Sequence, residues 1–301
     1  MRPRASVGMP VFNRAASVAR GIESVLAQTF PDFELIVSDN ASSDGTEPIC
    51  RRYAAQDPRI RYTRHPATIS GLDNFRFVLD TARAPYFMWL PADDYVLPRL
   101  LELAVAVLDT RPDVVCAVPG AEFLEADGSR RPAPGSFPLL GEPLDNICRY
   151  LADPMDNSRF YGLYRRDLLR AVLPAEAYYG FDWVVAAGTL LHGKHVELPE
   201  LLLVREANER DKYTRMIDML ARGPLERLLP LGRFSHALLG RLRARPHPRL
   251  LYALLRINII HHVMYCQYRY PRYGNLAHRL GAGLERIGAG AWRALHRRMA
   301  A

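Results

Sequence analysis

Residues 5–98 alternate compact apolar runs with amphipathic ones, and that alternation leaves few architectures open to the chain. "ASVGMPVF" (5–12) reads as a strand, and "SVARGIESVLAQTF" (17–30) places Val18, Ile22, Val25 and Leu26 at helical spacing. "FELIVSDNASSDGT" (33–46) is an apolar run that breaks into a polar, turn-forming cluster. "EPICRRYAAQ" (47–56) and "DNFRFVLDTAR" (73–83) read as helices, "RIRYTRH" (59–65) and "APYFMWLPADD" (84–94) as strands. The order βαβαβαβ predicts a parallel sheet with helices on its faces. Ligands of such sheets collect at the carboxyl ends of the strands, where the polar clusters after Val11, Val37 and Leu90 all fall. Further on, "LPRLLELAVAVLDTRPD" (97–113) is a helix and "VVCAVPGAEFL" (114–124) a strand, and 127–143, rich in Pro and Gly, is a loop or small excursion. "FYGLYRRDLLRAVLP" (160–174) runs from strand to helix, "GFDWVVAAGTLLHGK" (180–194) is helical, and "HVELPELLLVRE" (195–206) closes the alternation. No internal repeat is present.

At 301 residues the chain can bury a substantial core, as one large domain or two smaller ones. Its 49% hydrophobic and 24% charged residues exclude disorder over most of its length. Cys50, Cys116, Cys148 and Cys266 are scattered without a CxxC pair, so neither a zinc knuckle nor a disulfide framework is expected, and reduced cytosolic thiols are. "MRPRASVGMPVFNR" reaches an arginine too soon for a signal peptide, and no apolar run approaches a membrane span. The formal charge of +8 is unevenly spread: residues 1–210 hold 23 Lys and Arg against 28 Asp and Glu, whereas 211–301 hold 17 against 4. We therefore expect a domain over 1–210 and a basic helical region over 211–301.

"YFMWLPADDYVLP" (86–98) drives five mostly apolar residues inward and then sets Asp93 beside Asp94. Two adjacent carboxylates repel each other if both stay ionised, which favours a bound cation; a surface turn or helix cap is the alternative.

Taken with "SVGMPVFNRAASVARGIESVLAQTFPDFELIVSDNASSDGT", this segment resembles the family 2 glycosyltransferases over roughly residues 5–205. The resemblance implies a GT-A-type α/β fold, a mostly parallel nucleotide-binding sheet flanked by helices, to which the sequence adds a C-terminal helical extension. It also implies inverting transfer of a sugar from a nucleotide-sugar donor, with Mn2+ or Mg2+ as cofactor. In "PVFN", Pro10, Phe12 and Asn13 are then nucleotide-binding, with Phe12 stacking near the base; a core Phe is the alternative. Asp39 is the acceptor for the imide N–H of uracil or thymine, which favours a UDP or dTDP donor. Asn40 stands where relatives often carry a second acid, and Asp44-Gly45 reads as turn chemistry. Asp94 is expected to ligate the metal, and Asp93 to bind the ribose or assist the ion, with Pro91 in place of a further acid. The metal would bridge the two phosphates and neutralise the leaving group. Asp182 in "YYGFDWVV" is the candidate base for the acceptor hydroxyl, or the N-cap of its helix, with Phe181 where a Glu is frequent. Asn74 resembles a helix-start residue near the donor site or a cap. Arg165 and Arg166 are expected at a solvated helix end, and His192 and His195 are structural.

In the basic region, "RLLYALLRINIIHHVMYCQY" (249–268) is apolar on most sides and is expected to pack against the catalytic domain. "LAHRLGAGLERIGAGAWRALHRRM" (276–299) aligns leucines on one stripe and arginines on another, which suits contact with an anionic membrane or docking on its own domain. Aromatic and basic residues form no stacking platform, so nucleic acid is not an expected partner. The expected enzyme is cytoplasmic, either free or peripheral at the inner face of the cell membrane according to which role the basic helices take, and acts on a glycan or lipid-linked acceptor in surface polysaccharide or lipopolysaccharide synthesis. Two rivals are weighed: an inactive GT-A-fold scaffold, given Asn40, Pro91 and Phe181, and a nucleotidyltransferase, which the glycine-free "MPVFNRAAS" disfavours.

Overall fold

The computed structural model describes residues 2–152, 156–207, 212–242 and 247–269. Among them, nine strands form one sheet in the order β3-β2-β1-β4-β8-β6-β9-β5, with β7 paired to β6. The elements run β1 (Ala5–Val11), α1 (Val18–Leu26), β2 (Phe33–Asp39), α2 (Thr46–Gln56), β3 (Ile60–Arg64), α3 (Gly71–Thr81), β4 (Tyr86–Trp89), β5 (Tyr95–Val96), α4 (Leu100–Thr110), β6 (Val114–Leu124) and β7 (Arg130–Ala133). They continue through α5 (Pro143–Ala152), a 3₁₀ turn (Ser158–Tyr161), β8 (Leu163–Arg165), α6 (Arg166–Val172), α7 (Phe181–Leu190) and β9 (Lys194–Glu206). The last four are α8 (Lys212–Leu220), α9 (Pro224–Leu228), α10 (Gly232–Gly240) and α11 (Pro248–Arg269).

β1, β2, β3 and β4 pair in parallel, as the opening alternation requires. Six of the seven residues of β1 and all of β2 are buried, the pattern of strands covered on both faces. β2 carries Glu34 into the interior, where Ser6 donates to it at 2.7 Å and Arg61 pairs with it at 3.0 Å. α1 turns Val18, Ile22 and Val25 into the same core as Met9, Leu35 and Met88. Beyond β4 the sheet turns antiparallel through β8, then pairs β6 with β9 in parallel. The 127–143 stretch contains β7, which pairs antiparallel with β6 across a turn whose Gly128 has φ 83°. Asn146 lies within α5, which takes up the end of that stretch.

The chain divides into two compact units, and they interleave along the sequence. The first comprises Met1–Leu140, Met155–Glu176 and His192–Ala207 and holds the sheet. The second comprises Gly141–Pro154, Ala177–Leu191 and Asn208–Ala301, so α5 and α7 group with the helices that follow β9. In this second unit α11 packs on α5 and α8, and α10 on α7. The amphipathic segment 276–299 lies outside the described residues. No helix among the described residues is long and apolar enough to cross a membrane. All four cysteines are free, and burial pushes the Cys50 and Cys116 thiols up to about 12.

Candidate active site

The carboxyl ends of β1, β2 and β4 bring three polar loops to one edge of the sheet. The loops after β1 and β2 are laced together: Ser42 Oγ accepts from Asn13 N at 2.9 Å, and Asn13 Oδ1 accepts from Ser43 N at 2.9 Å. Thr46 Oγ1 accepts from Arg14 N at 2.8 Å, and Asp44 accepts from Ala15 N at 3.1 Å. The Thr46 hydroxyl also donates to Asp44 and holds its carboxyl below the usual range, so Asp44 is turn chemistry, as its sequence suggests. Asn13 (φ 51°) and Ala41 (φ 59°) adopt left-handed backbone. Ala gains no local side-chain bond there, so this strain is held by the surrounding lacing, a pattern that clusters at functional sites.

Phe12 follows β1 and is 45% exposed, which removes the core-Phe alternative. Pro10 stands half-buried in β1 opposite Ser38. Asp39 ends β2 without exposed surface; Ser42 N donates to its Oδ1 at 2.8 Å and the Tyr62 hydroxyl to its Oδ2 at 2.8 Å. Burial, then the bond to Asp39, raises the Tyr62 hydroxyl's pKa, so it stays a donor. Arg64 Nε lies 3.9 Å from the same oxygen and 2.9 Å from Glu47. Asn40, in place of a second acid, spends both ends of its amide on the backbone of Ile69.

The adjacent acids separate sharply. Asp94 is buried; Glu206 N donates to its Oδ1 at 2.9 Å and Arg205 Nε lies 3.7 Å from its Oδ2. Arg205 is itself sandwiched between the rings of Phe123 and Tyr161 and reaches Asp156 at 3.5 Å and the Ser158 hydroxyl at 3.0 Å. Asp93 keeps a side chain 22% exposed, 3.6 Å from Arg14 Nε, while Arg20 donates to its backbone carbonyl at 2.7 Å. The expected order of roles is thereby challenged: the carboxylate open to a ligand is that of Asp93, and Asp94 is spent on the framework. Among the described residues no group of three or more His, Cys, Asp or Glu could hold a metal by itself. Magnesium-type ions commonly take one or two carboxylates and complete their shell with substrate phosphates and water. Asp93 fits that arrangement; a protein-only cage does not.

Several expectations change in place. Ser70, not Asn74, caps α3, accepting from Asp73 N at 3.1 Å. Asn74 is buried and clamps Ser38, accepting from its hydroxyl at 2.6 Å and donating to its carbonyl at 3.1 Å. Because that hydroxyl's one proton goes to Asn74, His65 Nε2, 2.9 Å away, must be the donor to Ser38. Arg165 and Arg166 are not a solvated helix end: Arg165 donates to the carbonyls of Val114, Leu108 and Arg111, and Arg166 to that of Ala82. His195 is wholly buried, and burial followed by the Arg159 charge holds its pKa well below the ordinary value. In the second unit, Gly180 (φ 83°) occupies the cap position of α7, and Asp182 lies in its first turn. The positive φ favours glycine at 180, and a Cβ there would also meet the end of the buried Leu231 side chain at 2.3 Å, which would have to shift. Asp182 belongs to the second unit, while Phe12, Asp39 and Asp93 belong to the first. Sequence reading missed Arg14, Arg20, Tyr62 and Arg205. Tyr62 could have been found from the alternation of "RIRYTRH", but the arginines carry no periodic signal.

Comparison with known proteins follows the same lines. A segment is 34% identical over 130 residues to the uncharacterized protein y4gI of Sinorhizobium fredii, covering 42% of this chain and 14% of that one. Another is 35% identical over 100 residues to the GalNAc(5)-diNAcBac-PP-undecaprenol beta-1,3-glucosyltransferase of Campylobacter jejuni, covering 33% of this chain and 32% of that enzyme. The matches thus span well under two thirds of these relatives. Among solved structures, S. aureus TarS 1–349 in complex with UDP superposes with a TM-score of 0.57 at 17% identity, covering 97% of this chain and 91% of that one. The mannosyltransferase PcManGT of Pyrobaculum calidifontis, in complex with GDP-Man and Mn2+, gives 0.57 at 17% identity, covering 100% and 81%. These likenesses show the GT-A fold. The family model described as glycosyl transferase family 2 matches residues 6–173, more than half of the chain, and the protein belongs to that family.

Proposed function

We propose that the protein transfers a glycosyl group, with inversion, from a UDP- or dTDP-sugar to a hydroxyl of a glycan or lipid-linked acceptor during surface polysaccharide or lipopolysaccharide assembly. One observation carries the reading: an exposed Phe12 shares the carboxyl edge of a parallel sheet with Asp39 and the half-open carboxylate of Asp93. Phe12 offers a flat apolar face to the base. A carboxylate accepts at about four lone-pair sites, and Ser42 and Tyr62 take two from Asp39, which leaves acceptor capacity for a uracil or thymine imide N–H. Asp39 has no exposed surface, so a base that reaches it must displace a covering group.

Asp93 would hold a divalent ion together with the donor's phosphates, and that ion supplies neutralising charge to the nucleotide as it leaves. Arg14, beside Asp93, brings a guanidinium toward the same negative charge. Asp182 is the group we assign to remove the acceptor's proton, on its likeness to the family's late acid. A lipid-linked acceptor is supported by the C. jejuni relative, whose name specifies PP-undecaprenol, and it would place the reaction at the inner face of the cell membrane.

The test is thermal unfolding against UDP, dTDP, GDP and CMP, each with and without Mn2+. A ligand of the folded state raises the midpoint by mass action, by about 2.7 kcal/mol of stability at a hundredfold excess over its Kd. We expect a metal-dependent rise with UDP or dTDP that Asp93→Asn removes. No rise with any nucleotide, or one confined to GDP or CMP, defeats the donor assignment.

A further inference from the structure

The edge opposite Phe12 and Asp93, where β1 and β4 begin and β8 ends, opens into a cavity of about 750 Å³. Arg2, Arg4, Arg83, Arg165 and Arg166 line it, and Asp167 is the one acid among the lining residues. This is a local reversal of charge, since residues 1–210 carry five more acids than bases. Five guanidinium groups around one space repel each other, so each calls for a reason.

Structural reasons account for three. Arg165 donates to Leu108 O at 2.9 Å and Arg111 O at 3.2 Å, closing the carboxyl end of α4. Arg166 donates to Ala82 O at 3.0 Å, closing that of α3. These bonds satisfy orphan carbonyls and offset the negative helix ends. Arg4 pairs with Asp109, its Nη2 donating to both carboxylate oxygens at 2.6 Å. Arg2 and Arg83 are exposed and their side chains make no bond among the described residues. Setting Asp109, Asp167 and about half a charge for each of two helix ends against the five arginines leaves the cavity with roughly two positive charges.

We propose that this cavity binds a phosphorylated anion carrying a diphosphate or two phosphate groups, held by the free donors of Arg2 and Arg83 over a floor made positive by Arg165 and Arg166. The guanidinium fork matches phosphate oxygens in pairs, and the volume suits a small phosphorylated molecule or lipid headgroup better than a single inorganic phosphate. The site lies at the other end of the strands from the proposed donor site and does not depend on that assignment.

The experiment uses the full chain with two probes. Inorganic pyrophosphate is titrated by calorimetry into the wild type, an Arg2→Gln/Arg83→Gln variant and an Arg14→Gln variant altered at the catalytic edge. Co-sedimentation with vesicles containing cardiolipin, whose headgroup carries two phosphates, and with phosphatidylcholine vesicles as control, is run on the same three. We expect binding of pyrophosphate or of the anionic vesicles that weakens about tenfold or more in the double variant and persists in Arg14→Gln. Vesicle binding that needs Arg2 and Arg83 and that excess pyrophosphate displaces identifies a lipid headgroup in this cavity; pyrophosphate binding without vesicle binding identifies a soluble ligand; vesicle binding that pyrophosphate does not displace lies elsewhere and counts against the proposal. Both arginines are exposed, so the double variant should unfold at the wild-type midpoint, which is checked. Neither probe binding the wild type, or binding that the double variant retains, overturns the proposal.

Discussion

Asp93 and Asp94 are covalent neighbours, yet their surroundings predict opposite phenotypes. Asp94 and Arg205 form a pair with side chains only 6% and 11% exposed. Removing one partner of such a pair costs about 3–5 kcal/mol where no other counter-charge remains. Here Asp156 stays 3.5 Å from Arg205, so Asp94→Ala should destabilise by about 3 kcal/mol, the low end of that range. Asp93 meets Arg14 only at the surface, where such a pair contributes at most about 1 kcal/mol. Asp93→Asn should therefore leave urea stability within about 0.5 kcal/mol of wild type while abolishing transfer. If Asp93→Asn unfolds the chain, or Asp94→Ala leaves it stable, the division of labour is wrong. The contrast is invisible in "PADD". It depends on an arginine 111 positions away that β9 brings beside β5, and no local pattern announces such a partner.

At the scale of elements, the packing of α3 on β1 runs through Gly8. A Cβ built there would lie 2.5 Å from the Phe87 ring and 2.7 Å from Val78, both fully buried and unable to withdraw. Gly8→Ala should therefore destabilise by about 1–3 kcal/mol through overpacking, although alanine is the better strand residue in isolation. Urea unfolding checks this, and a neutral result would show that helix and sheet can separate without loss. The strands β1 to β4 and the helices α1 to α4 were legible because their apolar spacing is local and strong. The shared edge of Phe12, Asp39 and Asp93 followed from topology, since parallel strands must all end on one side. β7 was not legible: three of its four residues are exposed, only Ala133 is buried, and pairing with β6 is what makes it a strand. The cap of α7 was hidden for another reason. Asp182 is the better capping residue by type, but the left-handed turn needs the glycine two positions earlier.

For the whole molecule, two buried histidines couple folding to acid. His261 in α11 accepts or donates at 2.8 Å to the Tyr179 hydroxyl and packs edge-on against Trp183, and burial lowers its pKa from 6.5 to about 4. His195 in β9 is depressed in the same direction by burial and by Arg159. Between pH 6.5 and 4 the unfolded chain takes up a proton at His261 that the folded chain refuses, so stability falls as pH falls through that window and is fully present above it. Every tenfold difference in proton affinity between the folded and unfolded chains is worth about 1.4 kcal/mol, so His261 alone should cost about 2 kcal/mol between pH 7.5 and 5. His195 adds to the loss in the other compact unit, so both units weaken together in acid. Urea unfolding of the wild type and of His261→Gln at pH 7.5 and 5 checks this. The variant should start less stable at pH 7.5, because the Tyr179 contact is altered, yet lose about 2 kcal/mol less on acidification. Equal losses in the two proteins would mean that His261 is protonated in the folded chain, and its close packing between Tyr179 and Trp183 would then have to accommodate a charge.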